Sequence, residues 1–327
     1  MITEGIFNGH RALWLENERV RVGILPHKGA DIFEFQYTRP GTGPVQFLMK
    51  TPWGLKPPQT RPQADFLENY EGGWQELFPN ANDACQYGGL EIPFHGEAAL
   101  AKWEYHVLPS PPEESILELC TDCRKLPFRL ERRMYLEDSE NRLFIQEQVT
   151  NIGNEPSHFV WGHHLTLGGD FLEEGCRLEI PAHQIYTPEI LYEPETAHLQ
   201  PGQATEWPQA RARGGDTVDL RQIPGPGAHT HDDVIVGGLE HGCYRLTNPR
   251  LHLAFDLEWD VDIFPWLMLW QPYGGADMPP LTGIYGVGLE PWVSRYPLAR
   301  AVEEGQARLL GPGESLQTEL VAGVEEL

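Results

Sequence analysis

Apolar and polar residues alternate with a period of two in short runs along much of the chain. Examples are Arg19-Val20-Arg21-Val22, Ile116-Leu117-Glu118-Leu119-Cys120, Arg142-Leu143-Phe144-Ile145-Gln146, Cys176-Arg177-Leu178-Glu179-Ile180 and Leu251-His252-Leu253-Ala254-Phe255-Asp256-Leu257. A strand turns successive side chains to opposite faces, so each run predicts a half-buried strand. Gly (34) and Pro (29) punctuate the runs at short intervals, and apolar spacing of the i, i+3, i+4, i+7 kind is not sustained beyond three turns. Many strands joined by Gly/Pro turns without alternating helices predict an all-β fold, a large antiparallel β-sandwich or barrel and not a βαβ fold.

Stretches rich in Pro, Gly and charge fall at Lys56 to Gln63, Pro109 to Glu114 and Gln200 to His231. None has the Gly/Ser composition of a flexible linker. The last reads as a long excursion between two sheets or an interdomain crossing, and a single domain over 1–327 is the preferred reading. No internal repeat is visible. Ten Trp within a chain that is 40% hydrophobic supply ample core and argue against disorder.

Charge narrows the partners. Asp plus Glu (48) outnumber Lys plus Arg (24), giving a formal net charge of −24, which disfavours nucleic acid, anionic lipid and highly phosphorylated ligands. A neutral small molecule fits better. The opening Met1-Ile2-Thr3-Glu4-Gly5 is unlike a signal peptide, and no run reaches the roughly 20 apolar residues of a membrane span, so a cytoplasmic location is expected. Five Cys do not form a disulfide framework. Cys120 and Cys123 make a CxxC, but no second ligand pair follows, and structural thiols are expected.

Four segments concentrate polar and aromatic residues between glycines: Gly72-Gly73-Trp74-Gln75-Glu76-Leu77-Phe78-Pro79-Asn80, Ile92-Pro93-Phe94-His95-Gly96-Glu97-Ala98, Phe159 to Gly169 with Trp161-Gly162-His163-His164, and Ile284 to Trp292 with Gly288-Leu289-Glu290-Pro291. Indole faces beside His and Glu suit a pyranose, which presents an apolar C–H face edged with hydroxyls. Each residue also has a plain structural reading as a hydrogen-bonded core group. On a strand His163 and His164 point to opposite faces, so only one of them faces a ligand. Glu290 interrupts an apolar run and must be either paired or catalytic, because an unpaired buried charge is costly. Glu76 and Glu97 read equally as ligand contacts or turn-stabilising acids.

Taken in order, the Pro-Phe-His-Gly-Glu-Ala run followed by Trp103, the Trp-Gly-His-His run after Val149-Thr150-Asn151, and the late Gly-Leu-Glu-Pro resemble the aldose 1-epimerase (galactose mutarotase-like) family over roughly residues 10 to 300. The resemblance implies the family's large antiparallel supersandwich. It implies Glu290 as catalytic base, His164 as general acid and His95 as the second active-site histidine. Asn80, Glu76 and Asp233 (or Asp232) become candidate sugar contacts, with Trp161, Trp270 and Trp292 as aromatic walls. Two positions depart from the family: Ala81 stands where an arginine normally follows the Asn, and Thr166-Leu167 replace a Tyr-Phe pair.

The activity so implied is interconversion of the α and β anomers of a free aldose. The C1 hydroxyl gives up a proton while the ring oxygen gains one, so the hemiacetal opens, C1 rotates and the ring recloses. One base and one acid suffice, without metal or cofactor. If the two lie close, the charge of Glu290 is expected to keep His164 protonated. The rivals are a sugar-binding protein or regulator without turnover, a glycosidase or lyase using Glu76 with Glu290, and a cupin-type metal enzyme drawing on His163, His164, Glu173, Glu174, His229 and His231. The partner expected is a sugar, with a monomer or homodimer as the assembly.

Overall fold

A computed structural model describes residues 1–58, 65–108, 115–137 and 140–327. The stretch Pro109 to Glu114, and most of Lys56 to Gln63, lie outside the described residues. Two antiparallel sheets carry the fold. In spatial order the larger runs Ile2–Phe7, His10–Glu16, Val20–Leu25, Asp31–Thr38, Gly73–Leu77, Gly162–Leu167, Val287–Trp292, Trp266–Tyr273, Thr230–Gly237, Gln184–Tyr186 and Ala204–Glu206, with Pro44–Gln46 paired to Asp31–Thr38. The smaller runs Arg177–Glu179, Cys243–Asn248, Leu253–Trp259, Ser315–Glu326, Arg142–Asn151, Phe128–Leu136, Ile116–Asp122 and Glu104–Leu108.

The layers pack face to face, as the contact of Phe35 on the larger sheet with Phe255 on the smaller illustrates, at 5.4 Å between ring centroids. One apolar cluster draws on residues from Leu13 to Val324. Helix is confined, among the described residues, to Phe66–Asn69, Leu298–Glu303 and two short 3-10 turns. No helix among them is long and apolar enough to cross a membrane.

The alternating runs become strands, with edges trimmed by local backbone geometry. Leu251 and His252 form a turn, His252 at φ 50°, and the strand begins at Leu253. The run from Gln200 to His231 contains the short strands Ala204–Glu206, Gln209–Arg211 and Thr217–Asp219, the first of which extends the edge of the larger sheet. Cys120 and Cys123 are free thiols, both held above the usual range by burial.

The middle of the larger sheet gathers strands that are far apart in sequence. Gly162–Leu167 lies between Gly73–Leu77 and Val287–Trp292. Register then decides which side chains share a face. Gly162 opposes Trp292 and Thr166 opposes Gly288, so the same register sets His164 opposite Glu290. On the other flank His163 opposes Glu76 and His164 opposes Gln75.

Candidate active site

His164 and Glu290 share the outer face of the larger sheet. His164 Nε2 lies 3.5 Å from Glu290 Oε1, and the two residues are 6% and 1% exposed. Gly288 makes room for the carboxylate: a Cβ there would come within 2.5 Å of Glu290 Oε1. His95 arrives from the loop after Leu90–Ile92, its ring centroid 5.4 Å from that of His164 and 6.2 Å from that of Trp292. It holds a left-handed backbone, φ 59°, a conformation that costs of order 1–3 kcal/mol and concentrates at functional loops. Gly96 follows at φ 74°, where a Cβ would lie 2.3 Å from the Phe78 carbonyl oxygen.

Aromatic rings enclose the pair. Phe66, Tyr70 and Trp270 stand 5.5, 5.0 and 5.5 Å from the His164 ring. The Tyr70 hydroxyl and the Thr166 hydroxyl share a hydrogen bond of 2.8 Å, and Thr166 Oγ1 lies 3.4 Å from His164 Nδ1. Thr166, at a position where the resembling family carries an aromatic, thus buttresses the histidine from behind. Trp270 is held in turn: its indole N–H donates to His231 Nε2 at 2.6 Å, and His231 Nδ1 faces Glu193 Oε2. The Trp270 donor fixes the tautomer, with the hydrogen on Nδ1. Glu193 Oε1 also accepts the backbone N–H groups of Asp277 and Met278. One chain of hydrogen bonds therefore ties two loops to the aromatic wall.

Burial dominates the electrostatics. Desolvation lowers His164 to about 3 and pushes Glu290 well up, the latter helped by the Asp233 charge and opposed by the Trp292 indole. His95 is lowered well below the usual range, first by burial and then by His164. The expectation that Glu290 keeps His164 protonated is therefore corrected. In so dry a site, removing a charge gains more than pairing two charges does. Burial therefore favours the neutral form of each group, the imidazole of His164 and the carboxyl of Glu290.

Of the residues expected from sequence, His95, His164, Glu290, Trp270 and Trp292 come together. Asp233, opposite Trp270 in the neighbouring strand and half-buried, is on the same face with its carboxyl raised to about 6 by burial. Asp232, the alternative, points the other way and accepts backbone N–H bonds from His198 and Leu199. Three others are placed away from the cluster, which corrects the sugar contact expected of them. Asn80 is fully buried and spends its amide on the carbonyls of Asn82, Asp83 and Pro93 and on the Leu298 N–H. Trp161 and Glu76 lie between the two sheets, the indole N–H donating to the carboxylate. The sheet itself separates Glu76 from Glu290, so the two cannot flank one glycosidic bond. Glu97, read equally as a ligand contact or a turn-stabilising acid, accepts the backbone N–H groups of Arg124 and Lys125.

Behind the sheet lies a second polar cluster. Arg132 and Glu147, directly opposite each other in the smaller sheet, face Glu76 and His163 of the larger one. Arg132 binds Glu147 at 2.7 Å and also binds Glu76, while His163 Nε2 lies 3.1 Å from Glu147 Oε2. The Trp74 indole N–H donates to His163 Nδ1 at 3.2 Å. Glu76, Glu147 and His163 form the one group of three metal-type ligands within reach of each other among the described residues, and the Arg132 guanidinium already sits on both carboxylates. The residues weighed for a cupin-type centre do not converge: Glu173 pairs with Arg250, and both nitrogens of His231 are engaged.

Sequence reasoning missed Phe66, Tyr70, Glu193 and the positioning role of His231. His231 carried a signal only as part of a His-x-His loop. Glu193 carried none, because its partners are 38 and 84 residues away.

A model of the DUF4432 family, a domain of unknown function, matches residues 119–324, more than half of the chain. No curated protein matches. Among solved structures, a Klebsiella pneumoniae protein provisionally named an aldose 1-epimerase aligns with TM-score 0.73 at 17% identity, covering 97% of this chain and 79% of its own. The Slr1438 protein of Synechocystis sp. PCC 6803 aligns with TM-score 0.70 at 18% identity, over 99% of each chain. A galactose mutarotase-like protein of Clostridium acetobutylicum aligns with TM-score 0.68 at 17% identity, over 100% of this chain and 99% of its own. At these identities the likeness is one of fold. The chain thus belongs to the DUF4432 family and is built on the galactose mutarotase-like sandwich.

Proposed function

We propose that this protein interconverts the anomers of a free sugar at the His164–Glu290 pair. The observation that carries the reading is that pair itself: an acid and a base 3.5 Å apart, opposite each other across two strands, with His95 adjoining and aromatic walls around them. Fold likeness to proteins named for mutarotation agrees with it.

Ring opening removes a proton from the C1 hydroxyl and delivers one to the ring oxygen; ring closure reverses both transfers. Two groups sharing one proton can serve both directions, because each transfer restores what the other used. Burial favours the neutral forms of both groups, in which Glu290 can donate to the ring oxygen while His164 accepts from the C1 hydroxyl. In that order of transfers the roles are the reverse of those the family resemblance implies, and the chemistry still balances. Positioned proton transfer of this kind contributes about 10² to 10⁴-fold per group. Trp270 supplies a flat apolar face for the C–H side of a pyranose, while Trp292 is fully buried.

The test is exchange NMR of α and β anomers for a panel of aldoses, with and without protein. Accelerated exchange for at least one sugar is expected. Sugar binding with exchange no faster than in buffer would leave a binding protein on this fold instead.

A further inference from the structure

We infer that the sugar taken by this site carries a carboxylate, held by Arg295. The inference deepens the mutarotase reading and rests on it for the position of the reacting carbon.

Arg295 is a half-buried cation without a counter-charge. Its guanidinium carbon lies 4.5 Å from the Tyr186 ring centre, 5.1 Å from that of Trp266 and 4.9 Å from that of Tyr296. No carboxylate oxygen is within ion-pairing distance among the described residues, and its Nε is buried without a hydrogen-bond partner. Of the other described arginines without an ion pair, Arg213 and Arg308 bind backbone carbonyls and Arg124 and Arg211 are exposed. Arg132, Arg142, Arg245 and Arg250 all find carboxylates. The other cation on Tyr296, Arg300, is paired with Glu304.

The position of Arg295 links it to the candidate active site. One cross-strand row on the outer face runs from Glu290 to Met268, then Ile235, then Tyr186. In the next row Trp266 opposes Trp292, the indole that adjoins His95. Gly237 lets the Trp266 ring lie against the sheet, since a Cβ there would come within 2.6 Å of it. Trp266, Met268, Ile235 and Tyr186 are all half-exposed. An apolar strip with aromatic faces therefore leads from the acid–base pair to the unpaired guanidinium. Three strand spacings of about 4.8 Å make the row from Glu290 to Tyr186 about 14 Å long, and Arg295 also stacks on Trp266, one spacing from the Glu290 strand, so its guanidinium reaches back toward a sugar ring bearing an exocyclic acid.

Stacking engages the flat face of a guanidinium, and with Nε buried the outer edge formed by the two Nη groups is the one that matches a carboxylate in a two-point hydrogen bond. A single arginine, on a face that also carries Asp233 and Glu290, suits a singly charged carboxylate better than a phosphate dianion. The arginine missing at Ala81 is thus not replaced at the same point; a cation stands at the far end of the strip instead.

The test is calorimetric titration of galacturonate and glucuronate beside galactose, glucose and glucose 6-phosphate, on the full chain and on Arg295→Gln and Arg295→Lys, with thermal melts to confirm folding. The full chain is expected to bind at least one uronate about 10- to 100-fold tighter than its neutral counterpart, the range of a charge-assisted hydrogen bond. Arg295→Gln should bring that ratio close to one, and Arg295→Lys should restore part of it. Equal binding of acid and neutral sugars, a preference that survives Arg295→Gln, or tightest binding of the phosphate would each overturn the inference. The readout is separable from turnover. Arg295-dependent uronate binding without exchange of any sugar would retire the mutarotase reading and keep the carboxylate site. Exchange of neutral sugars with no uronate preference would do the reverse.

Discussion

His163 and His164 are neighbours on one strand, both buried, each with a glutamate within 4 Å, and they face opposite ways. Behind the sheet, His163 joins Glu76, Glu147 and Arg132, where a guanidinium compensates the carboxylates and indole N–H groups donate to His163 and Glu76. In front of it, Glu290 has a histidine for a partner but no Lys or Arg within ion-pairing distance among the described residues. The first arrangement has a cation on both of its carboxylates and joins two layers. The second keeps proton-transfer capacity because nothing neutralises it permanently. Compensation, and not residue type or burial, separates a structural His–Glu cluster from one poised for chemistry.

The largest effect should come from breaking the inner cluster. Arg132→Met leaves two buried carboxylates without their cation, and about 3–5 kcal/mol of stability should be lost, read from denaturant unfolding. A variant of full stability but reduced anomer exchange would show instead that the inner cluster belongs to the chemistry. Glu290→Gln tests the outer pair: exchange should fall about 10² to 10⁴-fold. Its unfolding free energy should not drop, because the amide removes a carboxyl whose ionisation the site resists. Loss of fold in that variant would make Glu290 a structural residue like Glu76.

The pH response sharpens the contrast least but most selectively. His164 is lowered to about 3 in the folded chain, against about 6.5 when unfolded. Between these values the unfolded chain binds the extra proton, so this histidine's contribution to stability is present above pH 6.5 and is lost on acidification. The raised carboxyls of Asp31, Glu76 and Asp233 act in the opposite sense, losing stability as pH rises through about 6 to 7. A difference measurement isolates the histidine. From pH 6.5 down to 4 the wild type should lose stability relative to His164→Asn by up to about 1.4 kcal/mol per pH unit. A constant gap between the two across that range would mean that His164 is already charged in the fold.

Period-two alternation and Gly/Pro punctuation were enough to read an all-β sandwich, because burial of one face is a local property of each strand. The resemblance singled out His95, His164 and Glu290 for a similar reason: glycines and aromatics beside a titratable residue mark places where backbone and ligand come close. Which face each residue serves was not legible. Glu76 and Glu290 look alike in sequence, both being acids in glycine-flanked apolar runs, yet register sends one between the layers and the other to the outer face.

By itself, then, the sequence determined the strands, the sandwich class and a short roster of chemically capable residues. Only the tertiary structure decided that His164 opposes Glu290, that Arg132 comes from the other sheet to neutralise Glu76, that Glu193 and His231 hold Trp270, and that Arg295 stands unpaired along the same face. Strand register and the meeting of two layers join residues from 38 positions apart, as for Glu193 and His231, to well over a hundred, as for His164 and Glu290. The local pattern fixes the period of each strand, but not which distant strand lies beside it.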